Sequence, residues 1–248
     1  MKELNKNKIL ENLPINRLNL DIFTEIDSTN DEAKRINLVK DFHIIIAEKQ
    51  NAGRGRLGKK WSSPESNNIY MTICTERDLS FAPLSLIIGL ICKEAIEEIS
   101  KKSEIKLKWP NDILHKNKKI GGILVEKEIH NNDEVRSIIG IGINLNIKKE
   151  ESWWGDLSEY KIESKRSALI NIIISKLLKF NDNYNEDWIN KWKASCAHMN
   201  KEVEIYEGKE FIEKTIFKDI DSKGNAILES KNGIKKIRSG QISIKGIY

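Results

Sequence analysis

From Ile139 to Asn146 the chain alternates without a break: Ile139, Ile141, Ile143 and Leu145 on one side of an extended strand, Gly140, Gly142, Asn144 and Asn146 on the other. The branched side must enter a core. The other side is bare backbone with two carboxamides. Such a strand commits the chain to a sheet with one packed face and one face open to very close approach. Two readings stand at this point. A flat ligand lies against the glycines, or another part of the chain crosses them.

A second segment adds chemistry. Residues 53–61, Gly-Arg-Gly-Arg-Leu-Gly-Lys-Lys-Trp, carry three glycines and four cations. Glycines let backbone come close or take positive φ, and arginines offer planar forks for carboxylate or phosphate. Gly53, Gly55 and Gly58 match the dinucleotide spacing, and Gly53, Gly58 and Lys59 nearly match a P-loop. Both motifs need a helix to follow at once, with its N-terminus at the phosphate. The residues that follow, Trp61-Ser62-Ser63-Pro64, read as loop. The segment is therefore expected to be a mobile basic loop between two strands. A solvated basic turn is the alternative.

The rest of the pattern predicts strands at 21–26, 43–47 and 69–75, with a short helix capped around Asp27-Ser28-Thr29-Asn30 after the first. Pro83 opens a long helix to Ser100, whose apolar stripe includes Leu84, Ile87, Ile91 and Ala95. A β-rich block spans 105–147 and is interrupted at Trp109-Pro110-Asn111-Asp112. Helices follow at 164–180 and 184–198, with Trp188 and Trp192 as packing residues. Beyond 201, short strands alternate with turns at 222–225 and 231–233. The expected fold class is α+β: a mixed, largely antiparallel sheet with helices on one face over 1–199, then a small β-barrel over 200–248.

Composition narrows the function. The 248 residues hold 42 Lys and Arg against 37 Asp and Glu, a formal charge of +5. That is too mild for a dedicated nucleic-acid binder. No apolar run approaches the ~20 residues of a membrane span, and the first residues carry no signal-peptide core. Cys74, Cys92 and Cys196 form no disulfide framework, so a reducing cytoplasm is expected. Cys196 and His198 lie close in sequence but are too few for a zinc site.

Five segments occur in a telling order: Ser28-Thr29-Asn30; Gln50 with the loop 53–61; Lys108-Trp109-Pro110-Asn111-Asp112; Lys119-Ile120-Gly121-Gly122-Ile123-Leu124-Val125-Glu126; and Gly140-Ile141-Gly142-Ile143-Asn144-Leu145-Asn146. Together they resemble the biotin protein ligase family over residues 20–248. The resemblance implies a catalytic domain related to class II aminoacyl-tRNA synthetases and an Src-homology-3-like C-terminal domain. It also implies joining biotin to ATP as biotinyl-AMP, then transfer to one lysine of the biotin carboxyl carrier domain of acetyl-CoA carboxylase. Magnesium is expected with the ATP, with no assignable ligand.

By the same resemblance, Arg56, Lys119 and Asp112 are the catalytic candidates. Ser28, Thr29, Asn30, Gln50, Arg54, Gly55, Arg56, Lys119 and Gly122 are the biotin candidates. Arg56, Trp61, Asn111, Lys119, Asn144 and Asn146 are the nucleotide candidates. The chemistry suits them. Bringing a carboxylate onto an α-phosphate joins two anions, so cations must neutralise the growing charge. A neutral ureido ring calls for hydroxyl and amide partners. A carboxylate such as Asp112 suits the handling of a lysine nucleophile, protonated at its ordinary pKa of ~10.4.

Leu57 and Lys59 depart from relatives that carry further arginines there. About twenty residues precede the first expected strand, too few for a helix-turn-helix reader, so DNA is not an expected partner. No membrane partner is expected, and the assembly is read as monomer or homodimer. The rival readings are a lipoate–protein ligase, a nucleic-acid-binding module using the Gly-Arg loop, and a biotinyl-binding regulator without turnover.

Overall fold

The computed structural model describes residues 4–65, 67–129, 135–147, 151–184, 187–231, 233–240 and 242–245. The expected turn at 231–233 includes Asn232, which lies outside them.

The chain opens with a short helix α1 (Lys6–Leu10), capped by the Asn5 side chain, which accepts from the Lys8 N–H at 2.9 Å. One buried residue, Ile9, anchors it. Five residues give no readable period, and this helix escapes sequence analysis. Strand β1 (Leu18–Ile26) leads into α2 (Thr29–Arg35), with Ser28 as N-cap and Asp31 and Glu32 favourably placed in its first turn. Next come β2 (Phe42–Gln50), β3 (Ile69–Thr75) and α3 (Leu84–Ser100). The β-rich block resolves into β4 (Ile105–Lys108), β5 (Asp112–His115), β6 (Lys118–Ile129) and β7 (Val135–Ile143). Helices α4 (Arg166–Asp182) and α5 (Trp188–Ser195) follow. Five more strands end the described chain: β8 (Glu202–Glu207), β9 (Glu210–Ile220), β10 (Ala226–Ser230), β11 (Gly233–Ile237) and β12 (Ile242–Lys245).

Seven strands form one sheet in the order β1-β2-β3-β7-β6-β5-β4. Only β1 and β2 run parallel, linked through α2; the remaining pairs are antiparallel. Strand alternation divides the core. Ile44, Ile46, Met71, Ile73, Ile139, Ile141 and Ile143 join the large cluster with α3, α4 and α5. Ile45, Cys74 and Ile138 point the opposite way and pack with Ala33 of α2. So the long helices share one face, as expected, while the short α2 lies on the other. That second face holds the site.

The C-terminal strands pair in the order β11-β10-β9-β8-β12, and among the described residues no pairing joins β11 to β12. The two sheets are fastened together. The buried Trp109 indole donates to the Gly224 carbonyl at 2.9 Å, and its ring lies 6.5 Å from that of Phe217. Gly224 has φ +75 and presses on Pro83 at the start of α3, where a Cβ would come within 2.5 Å. Gly224→Ala therefore combines a left-handed backbone with overpacking. It is expected to cost about 2–4 kcal/mol, read as a lower urea midpoint; an unchanged midpoint would mean that Pro83 yields freely.

Candidate active site

The second sheet face opens into a cavity of about 680 Å³. Every residue singled out from the sequence lines it except Asn146. Strand β7 ends at Ile143, so the alternation does not carry on. Asn146 is exposed, and its backbone N–H donates to Asn68 Oδ1 at 3.0 Å. Asn144 does line the cavity, but its carboxamide donates to the Gly155 carbonyl at 3.1 Å.

The bare face of β7 is occupied by this chain's own side chains. At Gly140 the Asn30 carboxamide fills the space of a Cβ; at Gly142 the Trp61 indole does so, 2.5 Å from where a Cβ would sit. The close-crossing reading of the glycines accounts for both positions. Trp61 Nε1 is buried there without a hydrogen-bond partner.

At one end of the cavity is a row of polar groups. Ser28, Thr29 and Asn30 are all nearly inaccessible. Gln50 Oε1 accepts from the Thr29 N–H at 2.8 Å and lies 3.1 Å from Thr29 Oγ1. Thr72 Oγ1 lies 2.8 Å from Thr29 Oγ1 and 2.6 Å from Asn30 Oδ1. Three oxygen–oxygen contacts thus share two hydroxyl protons, because both ends of the row are acceptors. The row is short of one donor.

Cations also line the cavity: Arg54, beside the polar row, and Arg56, Lys59, Lys60, Lys108, Lys119 and Lys245, with Asp112 as the one carboxylate among the described lining residues. Lys119 Nζ lies 2.6 Å from Asp112 Oδ1 and 5.4 Å from the Trp61 ring centroid. Its backbone is pinned by Trp153 and Gly155, through bonds of 3.0 and 2.8 Å. Lys108 Nζ is 3.9 Å from Asp112 Oδ2 and is 4% exposed. Burial pulls its ammonium down to about 8, against the opposing pull of Asp112.

The glycine loop forms a narrow hairpin. The Trp61 N–H donates to the Gly53 carbonyl, and the Gly55 N–H to the Lys59 carbonyl. Only one 3-10 turn, Arg56–Gly58, follows the first glycines, so neither phosphate motif has its helix. The left-handed backbone falls on Leu57 (φ 55) as well as Gly58. Arg56 donates to Asn111 Oδ1 at 3.3 Å and to the Ser239 carbonyl of the second sheet's connection, with Ile242 O at 3.4 Å. Burial lowers its pKa from the ordinary value. Arg54 turns away from the cations: its guanidinium donates to Asp31 and Glu126.

Lys108 carries no role legible in the sequence: a lysine flanking Trp-Pro in a strand shows no sign of burial. The Trp153-Trp154 pair and Lys245 of β12 also line the cavity without a sequence signal, while Lys59 and Lys60 are expected only as part of the basic loop. Lys245 is brought in by docking of the second sheet, which no local pattern reveals. Among the described residues, the one grouping with metal-ligand proximity is Glu104, His115 and Glu159, away from the cavity.

Residues 22–144 match the Biotin/lipoate A/B protein ligase family, and residues 198–245 match the Biotin protein ligase C terminal domain. The bifunctional ligase/repressor BirA of Escherichia coli is 32% identical over 236 residues, spanning 89% of this chain and 72% of that protein. A biotin–[acetyl-CoA-carboxylase] ligase of Paracoccus denitrificans is 32% identical over 123 residues, 48% of this chain and 51% of that one. The structure of the Aquifex aeolicus biotin protein ligase in complex with biotin and ATP superposes with a TM-score of 0.74 at 29% identity, covering 92% of this chain and 98% of that one. On fold, site and likeness together, the chain belongs to the biotin protein ligase family.

Proposed function

We propose that this chain activates biotin with ATP, releasing pyrophosphate, and passes biotin from the adenylate to a lysine of the carboxyl carrier domain of acetyl-CoA carboxylase. One observation carries the reading: a donor-short polar row and a cation-rich lining with Asp112 as its one described carboxylate share a single cavity. A ureido ring brings N–H donors to that row. A dithiolane brings none, which favours biotin over lipoate. The Paracoccus relative's acetyl-CoA-carboxylase substrate supports the choice of carrier.

With its ring on Ser28, Thr29, Asn30 and Gln50, biotin directs its tail toward Arg56 and Lys119. A carboxylate oxygen attacks the α-phosphorus, and the bond to pyrophosphate breaks. Arg56 and Lys119 offset the charge of the two anions as they meet. In the second step the carrier amine attacks the acyl carbon, AMP leaves, and Asp112 takes the amine's proton. Gly55, Gly122 and Asn111 shape the channel. Trp61 separates the two ends, and Asn144 holds the 153–155 segment along the nucleotide side. Asp112 is the only carboxylate among the described lining residues. A magnesium ion there would rest mainly on phosphate oxygens, which suits its chemistry.

Two further features bear on setting. Among the described residues no helix is long and apolar enough to cross a membrane. The three cysteines are free, which suits a reducing compartment. We place residues 1–199 in the catalytic unit and 200–248 in a second unit that completes the nucleotide wall.

Isotope exchange between pyrophosphate and ATP tests the reading: it is expected to require biotin and to ignore lipoate, and dependence on lipoate alone would overturn it. Lys119→Ala is expected to slow adenylate formation about 100–1,000-fold while transfer from preformed biotinyl-AMP falls far less; equal losses would remove its assigned role. Lys108 makes a pH prediction. Between about 8 and 10.5 the folded chain binds fewer protons at Lys108 than the unfolded chain, so its burial penalty is complete below pH 8 and fades as pH rises. Lys108→Met is therefore expected to exceed the wild type in unfolding free energy by on the order of 3 kcal/mol at neutral pH, with the gap closing toward pH 10. A constant gap in urea unfolding would contradict this.

A further inference from the structure

The sequence-based expectation puts Arg54 on the substrate, yet its guanidinium faces two protein carboxylates. Glu126, near the far end of β6, is the more informative partner. Its Oε1 accepts from Arg54 Nη1 at 3.0 Å and from Lys34 at 3.1 Å. Its Oε2 accepts from Arg54 Nη2 at 2.9 Å and from Asn30 Nδ2 at 2.7 Å. The Arg54 pair is thus a two-point fork, the strong geometry for this couple. An ionised carboxylate only accepts, so the amide nitrogen of Asn30 must face it and Asn30 Oδ1 must face the Thr72 hydroxyl.

The same bonds form a circuit. From Arg54 it runs through Glu126 to Asn30, Thr72, Thr29 and Gln50. Gln50 Nε2 then donates to Ser63 Oγ at 2.9 Å, and Ser63 Oγ to the Trp61 carbonyl at 3.2 Å. Both ends of the circuit lie in or beside the glycine loop, and its middle is the polar row assigned above to the biotin ring. Burial by itself would raise the pKa of Glu126, but the bonds from Arg54, Asn30 and Lys34 outweigh it and hold the group ionised.

We propose that Glu126 is a positioning residue: its one carboxylate both orients the Asn30 amide for the ring and anchors the glycine loop through Arg54, so that ring binding and loop closure reinforce each other. This rests on the biotin reading above and extends it to a residue outside the cavity lining. Glu126 touches neither substrate. Its effect reaches biotin through Asn30 and reaches the phosphate end through the seat of the loop that carries Arg56.

The test uses the full chain and the variants Glu126→Gln and Arg54→Met, with biotin and ATP titrated separately in pyrophosphate exchange and trypsin cleavage at Arg56 followed with and without biotin. Glu126→Gln keeps the size of the side chain and loses its charge. It is expected to raise the KM for biotin about tenfold, to change the KM for ATP less than twofold, and to lose most of the protection that biotin gives at Arg56. Arg54→Met is expected to lose that protection with a smaller rise in biotin KM, since Asn30 keeps its acceptor. Glu126→Asp, with its charge but a shorter reach, is expected to fall between Gln and wild type. If Glu126→Gln melts below the assay temperature, Arg54→Met is read alone for protection. A folded Glu126→Gln with wild-type biotin KM and full protection would overturn the proposal, as would equal rises in both KM values. The wild type separates this failure from the larger one: if it shows no biotin-dependent exchange, the biotin reading itself falls and this inference with it.

Discussion

The missing side chains at Gly140 and Gly142 are the constraint on which the site depends. Because β7 has no Cβ at either position on its second face, the Asn30 carboxamide and the Trp61 indole can press directly on its backbone. Asn30 then reaches Thr72 and Glu126; Trp61 brings the glycine loop down beside Lys119. A methyl at Gly142 would meet the rigid Trp61 ring, and one at Gly140 would meet the Asn30 carboxamide, whose bonds to Thr72 and Glu126 it would disturb. One strand thereby fixes the floor of the cavity and the seat of its cover, while its isoleucines hold the sheet to the long helices.

Electrostatics sets a second condition. Among the described lining residues the cations far outnumber the one carboxylate, Asp112, which favours an anionic occupant. The chain contains the repulsion by pairing. Asp112 sits against Lys119 and near Lys108, and Arg54 is drawn off to Asp31 and Glu126. Among the described residues Arg56 is held by neutral acceptors: Asn111 Oδ1 and carbonyl oxygens. Among the described residues it faces no competing carboxylate at hydrogen-bond distance, so a phosphate has little to displace there. The difference between the two arginines is one of partners and not of sequence.

Much of this was legible in the residues, for identifiable reasons. Strand 69–75 and the long helix after Pro83 have strong periods and clear punctuation, and both fall where the pattern puts them. The Ser28 cap is a local event and so readable locally. What stayed hidden depended on distant contacts. Arg54 and Arg56 are two residues apart and look alike in sequence, but Glu126 captures one and Ser239 the other. Lys108 is burdened by burial that no neighbour in sequence signals. Asn146 extends an alternation that the chain abandons at Ile143, because Asn68 draws the backbone into a turn. The five-residue α1 is too short to have a period at all.

The order of synthesis gives the second sheet a further meaning. Lys245 and its neighbours on β12 line the cavity, and Ser239 holds Arg56, yet these groups leave the ribosome after every other part of the site. The polar row, built from residues of α2, β2 and β3, leaves the ribosome well before them. A growing chain therefore carries its polar row, Arg56 and Lys119 before it carries the β12 wall of the cavity and the carbonyl that holds Arg56.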